Sequence, residues 1–372
     1  MKITVQSSEF IKAINLATQV INERLNDTIT LSVNKFGKTV EVKSFLDSDK
    51  LCYLVEGETS STEIGAYGIN TIKLRKFINM LAPQPITLNF DNKVMTIGYN
   101  NGCFAHFPLV DAPVETISSN DSDIEVFSFD TQSLLKALNV AVNYIHTDDA
   151  RPTMCCVLLH ILNSKLFVVA TDGFRLYKEE LCDYEHKDLM LLFSKESIKI
   201  ISTILQKHKD NIDIKFQEGI NKHLLLITLD NVIYQFSTIN QKYPDYNRII
   251  PEYDSWIEVN KKEFFSAAKR ISLFSDEASR ISISSNVMGI TQEVTIVASN
   301  NDYKKDGSEI VDVVATGDIS QDFKVCVYYN QLEIIEKHLD GDTFKIYIGL
   351  EMKPMLIRTD MKSLHLLVTV AL

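Results

Sequence analysis

Residues 194–209 read SKESIKIISTILQKHK and carry the pattern on which the fold depends. Lys195 and Lys199 are four residues apart and therefore share one face of a helix. The rest of that face is polar as well, with Ser202 and Gln206. The opposite face is apolar and consists of Ile198, Ile201, Ile204 and Leu205. The stretch is typical of an amphipathic helix that packs on a core.

Five further stretches show an amphipathic helix, and short β-branched segments follow each of the six. The helices are predicted at 7–22, 71–82, 131–146, 194–209, 260–275 and 330–339. Their starts near Ser7, Thr71, Thr131, Lys195, Lys261 and Gln331 are separated by 64, 60, 64, 66 and 70 residues. A regular period of this kind decides the architecture before any local motif is weighed. Taken in pairs, the helices predict an α+β chain of three repeated domains, each with two helices packed on antiparallel sheet.

Two polar segments that contain proline fall between the predicted repeats, at 111–123 and 243–255. Such segments are typical of linkers. The predicted domains are therefore 1–123, 124–253 and 254–372. A chain of 372 residues is expected to form two or three domains.

The composition indicates a soluble globular protein, with 45% hydrophobic and 23% charged residues. No apolar run approaches the ~18 residues that span a membrane, and the start lacks the apolar segment of a signal peptide. Six cysteines are scattered without a C-x-x-C pair. This pattern favours reduced thiols in a cytoplasm over disulfides or a zinc site.

The charge is distributed unevenly along the chain. The net charge is −11, but the six predicted helices together carry +9 and the remainder −20. A basic stripe on one helix is usually a solvated face. Four such helices in an acidic chain indicate instead a surface that attracts a phosphate backbone.

Motifs for catalysis or cofactor binding are weak in this sequence. Gly37-Lys38-Thr39 lacks the earlier glycine of a phosphate-binding loop and lies at a hairpin tip. His146, Asp148 and Asp149 fit a solvated loop better than a metal site. Asp172 is interpreted as a turn carboxylate that accepts hydrogen bonds from nearby backbone N–H groups. We therefore expect no cofactor, no metal and no enzymatic activity.

Several local sequences together resemble the bacterial sliding clamps, the β subunit of the replicative DNA polymerase III. They are Arg151-Pro152 with the strand MCCVLLHI at 154–161, LFVVATDGFRL at 166–176, YPDYNRIIP at 243–251 and MKPMLIR at 352–358. The resemblance extends over the full length. It implies the DNA clamp fold, in which two chains join head to tail in a closed ring of six domains. Such a ring encircles duplex DNA without sequence preference and tethers the polymerase.

The resemblance also implies partners and residues. Short linear peptides of the polymerase, the clamp loader and repair proteins would bind between the second and third domains. The implied peptide-binding residues are Met154, Thr171, Gly173, Phe174, Arg175, Leu176, Pro244, Arg248, Ile249, Val368, Val370 and Leu372. The implied DNA-binding residues are Lys12, Arg24, Lys73, Lys76, Lys136, Arg151, Lys195, Lys199, Lys262, Lys269 and Arg270. The implied dimer contacts are Phe77, Leu81 and Phe104 against Leu273 and Phe274 of another chain.

This chain departs from the clamp pattern in three places. Phe174 stands where many relatives have histidine, which implies a more apolar pocket floor. The ending Val368–Leu372 lacks the usual Met-Pro step. The segment Asn301–Asp306 replaces an acidic cluster at the ring interface. Two alternatives therefore stay open: a clamp-like chain that no longer closes, and an enzyme with an unrecognised site around Asp172 and Arg175.

Overall fold

A computed structural model of the protein describes most of the chain. The residues left undescribed are 22–26, 34–37, 47, 60–64, 92, 114–123, 149, 207, 220–222, 230, 287–292, 301–304, 318–322, 349–352 and 371–372. The predicted sites at Arg24, Gly37, Asp149 and Leu372 and most of the segment Asn301–Asp306 therefore lie outside the described residues. In the described part, no helix is long and apolar enough to cross a membrane.

One order of elements recurs six times: a strand, a helix that begins within two residues, and three further strands. The helices are α1 (Ser7–Val20), α2 (Thr71–Ile78), α3 (Thr131–Ala141), α4 (Lys195–Leu205), α5 (Lys261–Ser272) and α6 (Tyr329–Glu336). The first twelve strands are β1 (Lys2–Gln6), β2 (Thr28–Val33), β3 (Thr39–Leu46), β4 (Asp49–Glu58), β5 (Gly65–Asn70), β6 (Pro85–Asp91), β7 (Val94–Tyr99), β8 (Cys103–Val110), β9 (Ile124–Phe129), β10 (Cys156–Leu162), β11 (Lys165–Thr171) and β12 (Arg175–Asp183). The other twelve are β13 (Leu189–Ser194), β14 (Ile212–Gln217), β15 (Leu224–Leu229), β16 (Val232–Ser237), β17 (Trp256–Asn260), β18 (Arg280–Asn286), β19 (Glu293–Asn300), β20 (Lys305–Thr316), β21 (Lys324–Tyr328), β22 (Thr343–Tyr347), β23 (Met355–Arg358) and β24 (Ser363–Leu367).

The chain divides into two compact units. The first unit contains residues 1–135 and 193–240. Its twelve-stranded sheet has the order β1-β6-β7-β8-β5-β2-β3-β4-β16-β15-β14-β9. Strand β4 pairs antiparallel with β16, from Val232 opposite Tyr53 to Gln235 opposite Lys50. The eight strands of the first predicted repeat and four strands of the second thus form one sheet.

The second unit contains residues 136–192 and 241–372. Its twelve-stranded sheet has the order β13-β10-β11-β12-β24-β23-β22-β17-β20-β19-β18-β21. Strand β12 pairs antiparallel with β24, from Arg175 opposite Leu367 to Glu179 opposite Ser363. The predicted domain boundaries near 124 and 254 stay a prediction, since each sheet joins strands of two predicted repeats.

Side-chain caps at the ends of the preceding strands fix the starts of α4 and α5. The Ser194 hydroxyl accepts a hydrogen bond from the Ser197 amide at 3.0 Å, and Asn260 Oδ1 accepts one from the Glu263 amide at 3.1 Å. Such caps satisfy backbone donors that the first helical turn leaves free. The predicted inward face of α5 is confirmed, because its apolar residues Phe264, Phe265, Ala268 and Ile271 are buried.

Five helices end several residues before their predicted limits, at Ile78, Ala141, Leu205, Ser272 and Glu336. The chain continues beyond them in tighter turns. The Met80 amide donates to the Phe77 carbonyl at 3.1 Å, and the Phe274 amide donates to the Ile271 carbonyl at 3.0 Å. Helices commonly finish in such i to i+3 turns. These turns keep side chains near the helix face, so the apolar pattern extends past the α-helix itself.

Candidate functional site

The loop between β11 and β12 is held in one shape by its own side chains. The Asp172 carboxylate accepts hydrogen bonds from the amides of Phe174 and Arg175 at 2.9 and 2.8 Å. It also forms two charge-assisted bonds with the Arg175 guanidinium, at 2.9 and 2.6 Å. The Thr171 hydroxyl accepts from the Gly173 amide at 3.1 Å and donates to the Arg175 carbonyl at 2.6 Å. The prediction that Asp172 is a turn carboxylate is confirmed.

Gly173 has φ +89°, in the left-handed region that residues other than glycine rarely adopt. A Cβ placed there would lie 3.7 Å from Met154 Sδ and 3.6 Å from an Arg151 guanidinium nitrogen. The loop therefore lies against the short 3₁₀ turn Pro152–Cys155. Met154 and Gly173, two predicted peptide-binding residues, are brought together. Arg151 lies beside this loop, and none of the six helices carries it.

The C-terminal segment forms a second wall next to the loop. The Val368 amide donates to the Phe174 carbonyl at 2.9 Å, and the Val370 amide donates to the Cys326 carbonyl at 2.9 Å. Phe174 itself is 57% exposed, whereas Leu176 is completely buried. Phe174 therefore presents a large apolar surface to a ligand, as does the predicted residue Ile249, which is 45% exposed.

A third segment that carries predicted pocket residues is 241–249, which we call the strap. Its residues Tyr243 and Tyr246 are buried. Tyr246 Oη lies 2.7 Å from His160 Nδ1, and Lys178 Nζ lies 5.3 Å from the centre of the Tyr246 ring. Burial raises the pKa of Tyr246 to about 12, so its hydroxyl is protonated at neutral pH. The strap carries the predicted residues Pro244, Arg248 and Ile249 and is anchored to the same sheet as the loop.

Of the eleven cations predicted to meet DNA, Arg24 lies outside the described residues and Arg151 lies beside the loop. The other nine fall into two groups. Three are paired within the chain: Lys12 with Glu9, Lys136 with Asp340 and Arg270 with Glu309. Six are exposed and have no ion pair with a carboxylate in the described residues: Lys73, Lys76, Lys195, Lys199, Lys262 and Lys269. Sequence reasoning did not select Arg75, which is also exposed on α2 and whose Nε donates to Asn15 Oδ1 at 3.1 Å. Its position between Lys73 and Lys76 was the available signal.

The two predicted interface clusters are apolar, and each contains exposed side chains. In the second unit Leu273 is 77% exposed and Phe274 39%, and in the first unit Phe104 is 62% exposed. Phe77 is part of the first unit's own packing, with its ring 5.4 Å from those of Tyr99 and Phe107. Leu81 is partly buried. Phe104 and Leu273 are thus the most exposed of the five predicted contacts.

Two strands beside these clusters have incomplete pairing. Strand β8 pairs with β7 through residues 103–108 but with β5 only through Leu109 and Val110. Strand β20 pairs with β19 through residues 305–312 and with β17 only from Val313 onward. In the described residues, part of each strand therefore has one edge without a strand partner. Sequence reasoning missed both edges, together with the exposed Ile310 on β20.

Comparisons with known proteins agree with this architecture. Residues 128–245 match the family model described as DNA polymerase III beta subunit, central domain. The beta sliding clamps of Rickettsia bellii and Bacillus subtilis are each 23% identical to the chain over 374 residues, covering 96% of both sequences.

Solved structures agree over the whole chain. The DNA polymerase III beta subunit of Thermotoga maritima matches with a TM-score of 0.86 and 17% identity, covering 100% of this chain and 99% of that one. The Helicobacter pylori beta clamp bound to a DNA ligase peptide matches with a TM-score of 0.84 and 20% identity over 100% of both chains. The predicted sliding-clamp resemblance and the α+β clamp fold are confirmed.

Proposed function

We propose that this chain, whose residues 128–245 belong to the family of DNA polymerase III beta-subunit central domains, is a sliding clamp. In this proposal two copies close around duplex DNA and hold the replicative polymerase, the clamp loader and repair proteins by short peptides. The observation that carries the proposal is the full-length agreement of the fold with clamp structures. The protein would act by binding and tethering rather than by catalysis, and it would work in the cytoplasm.

The six unpaired lysines support a sequence-independent grip on DNA. They lie on α2, α4 and α5, and their ammonium groups are exposed. An exposed ammonium attracts phosphate but reads no base, which is what sliding requires. Lys12, Lys136 and Arg270 would contribute less, because a carboxylate of this chain already neutralises each of them.

The two incomplete strand edges support a head-to-tail dimer. An unpaired edge is a template for strand addition from another chain. The edge of β8 carries the exposed Phe104, and that of β20 carries the exposed Ile310. Phe274, which follows Leu273 in the chain, packs against Gly307 of β20. We propose that β8 of one chain pairs with β20 of the next while these apolar side chains are covered. Because the two surfaces differ, the contact is heterologous and a dimer contains it twice.

The loop, the C-terminal segment and the strap together support peptide capture. The loop and the C-terminal segment meet at Phe174, whose ring is exposed, and the strap is anchored to the same sheet. A mostly apolar hollow with a few polar groups suits a short peptide anchored by large apolar residues. We propose that a peptide with one glutamine and two large apolar residues binds here at micromolar strength. A catalytic role for Asp172 is less favoured, since Phe174 and Arg175 already engage its carboxylate.

The deciding experiment compares retention of the purified chain on circular and on linearised DNA. A clamp assembled on DNA by its loader should stay on nicked circles and slide off linear molecules. Replacing Lys195, Lys199, Lys262 and Lys269 by alanine should weaken DNA interaction about equally on all sequences. The matched control replaces Lys2, Lys93, Lys215 and Lys324, which are exposed on strands or turns outside the helices, with the same change in charge.

Three outcomes are distinguishable. Selective loss in the helix variant supports the proposal, and equal loss in both variants contradicts the assignment of the helices. Peptide binding by a chain that sediments only as a monomer would identify a clamp-like protein that does not close.

A further inference from the structure

Tyr144 lies in the turn that follows α3 and is completely buried. None of the peptide-binding assignments includes it. It nevertheless contacts residues that belong to two different walls of the proposed pocket. We propose that Tyr144 is a positioning residue that holds the loop wall and the C-terminal wall at a fixed separation. This inference rests on the proposed peptide-binding function of that site.

The first contact is with the loop wall. The Arg175 guanidinium carbon lies 5.5 Å from the centre of the Tyr144 ring, within the range of a cation–π interaction. Arg175 is also bound to Asp172, and Asp172 holds the Phe174 amide. The guanidinium is largely buried, with a side-chain exposure of 14%. It therefore works as a brace beneath the loop, and the Tyr144 ring is one of its supports.

The second contact is with the C-terminal wall. Tyr144 Oη and His365 Nδ1 are 2.7 Å apart and share a hydrogen bond that is entirely buried. His365 lies on β24, three residues before Val368, whose amide donates to the Phe174 carbonyl. A shift of β24 would therefore move Val368 along with His365. Tyr177 completes the cluster, with its ring centre 5.6 Å from that of Tyr144 and 5.3 Å from that of His365.

The link is specific because its polar atoms have no solvent to replace a lost partner. Burial lowers the pKa of His365 to about 3, so the imidazole is neutral under physiological conditions. A buried donor or acceptor that loses its partner retains the full cost of desolvation. Loss of this hydrogen bond by a change at Tyr144 or His365 should therefore shift the loop wall and the C-terminal wall, because water cannot take the place of the missing partner.

A buried tyrosine also stabilises the chain simply by packing. The control is therefore a second buried, hydrogen-bonded tyrosine that lies outside the pocket. Tyr234 in the first unit is completely buried, and its hydroxyl donates to Asp49 Oδ2 at 2.9 Å. Tyr234→Phe removes one buried hydroxyl, as Tyr144→Phe does. The two variants should lose similar thermal stability, but only Tyr144→Phe should alter the pocket.

The measurement is the affinity of a fluorescent peptide with one glutamine and two large apolar residues, well below the melting temperature. Tyr144→Phe and His365→Leu should each bind about fivefold more weakly, the factor that about 1 kcal/mol produces. The double variant should be no weaker than either single one, because both changes remove the same link. His365→Asn, whose amide can still pair with Oη, should stay within about twofold of the parent chain. Equal affinities of Tyr144→Phe and Tyr234→Phe would overturn the inference, and so would a His365→Asn variant as weak as His365→Leu.

A second readout separates this inference from the proposed function. The amides of Gly173, Phe174 and Arg175 are hydrogen-bonded within the loop, and their hydrogen exchange can be followed without any peptide. Faster exchange in Tyr144→Phe than in Tyr234→Phe supports the brace, and equal exchange overturns it. The parent chain could bind no peptide while Tyr144→Phe still exchanges faster than Tyr234→Phe. That result would support the brace and overturn the proposed peptide-binding role of the pocket.

Discussion

Leu273→Ala is the sharpest test of ring closure, because the side chain is 77% exposed in the single chain. Removing it should cost the fold little. Phe274 is a less clean target, since its ring already packs over Gly307, where an added Cβ would lie 2.8 Å from Phe274 Cδ2. Truncation of Phe274 would therefore disturb the chain's own packing as well as a contact with a second chain.

The expected loss follows from the surface that Leu273 has left to bury. Complete burial of a leucine contributes roughly 1.5–3 kcal/mol, so about three quarters of that, near 2 kcal/mol, is available to a partner. The proposed ring contains the contact twice, which makes the total about 4 kcal/mol. The dimer dissociation constant should then rise by about a thousandfold.

Sedimentation equilibrium at several concentrations measures this change directly. The control is Met361→Ala, a residue of the second unit that is also 77% exposed but lies in the turn between β23 and β24. The Met361 variant should dimerise like the parent. The interface assignment is refuted if Leu273→Ala shifts the dissociation constant no more than Met361→Ala does.

Three further outcomes are expected. Gly173→Val should abolish peptide binding while the dimer persists, because valine at φ +89° costs about 1–3 kcal/mol of local strain and would distort the loop; peptide titration and sedimentation of the same sample check both parts. Phe174→His should weaken binding of a peptide with two large apolar anchors by a few-fold, since an exposed apolar ring is replaced by a polar one; unchanged affinity would show that Phe174 does not contact the peptide. Folding lowers the pKa of His365 to about 3, so below pH ~6.5 the unfolded chain binds more protons at this residue than the folded chain does. The contribution of His365 to the free energy of unfolding should therefore fall by about 2 kcal/mol from pH 8 to pH 5. His365→Leu should remove this part of the pH dependence in denaturant titrations.

The helices could be predicted from the sequence because buried and exposed residues alternate along each of them at helical spacing. In α4 the buried positions Ile198, Ile201 and Ile204 alternate with exposed Lys195 and Lys199 at helical spacing. The same period gave six starts within two residues of those observed. The predicted ends ran long because apolar side chains continue into the tighter turns beyond each helix.

Some strands leave only a weak pattern in the sequence, for two physical reasons. Strands β4, β12 and β20 contain many charged residues, so alternation of apolar and polar positions is weak in segments such as RLYKEELCD at 175–183. The six strands that precede the helices are short, and most run directly into the residue that starts the helix. Pairing with neighbouring strands fixes these segments, and such pairing involves partners far away along the chain.

The candidate site shows the same division between local and distant contacts. Asp172 could be interpreted correctly because its donors, Phe174 and Arg175, lie two and three residues away. The bond between Tyr144 and His365 spans 221 residues and leaves no spacing that a single sequence could display. The roles of Tyr144 and the strap tyrosines therefore required the three-dimensional contacts.

The charge pattern leads to one more quantitative expectation for the ring. Six candidate lysines per chain have no ion pair with a carboxylate in the described residues, so a dimer offers twice that number to the phosphates. Each phosphate contact adds about 0.9 to the slope of log affinity against log salt, which limits the slope for binding to linear duplex to about 11. Retention on a closed circle needs none of these contacts, because the topology alone prevents release. Raising the salt should therefore abolish capture of linear DNA while rings already assembled on circles remain. Parallel loss of both would mean that electrostatic attraction, and not encirclement, holds the protein on DNA.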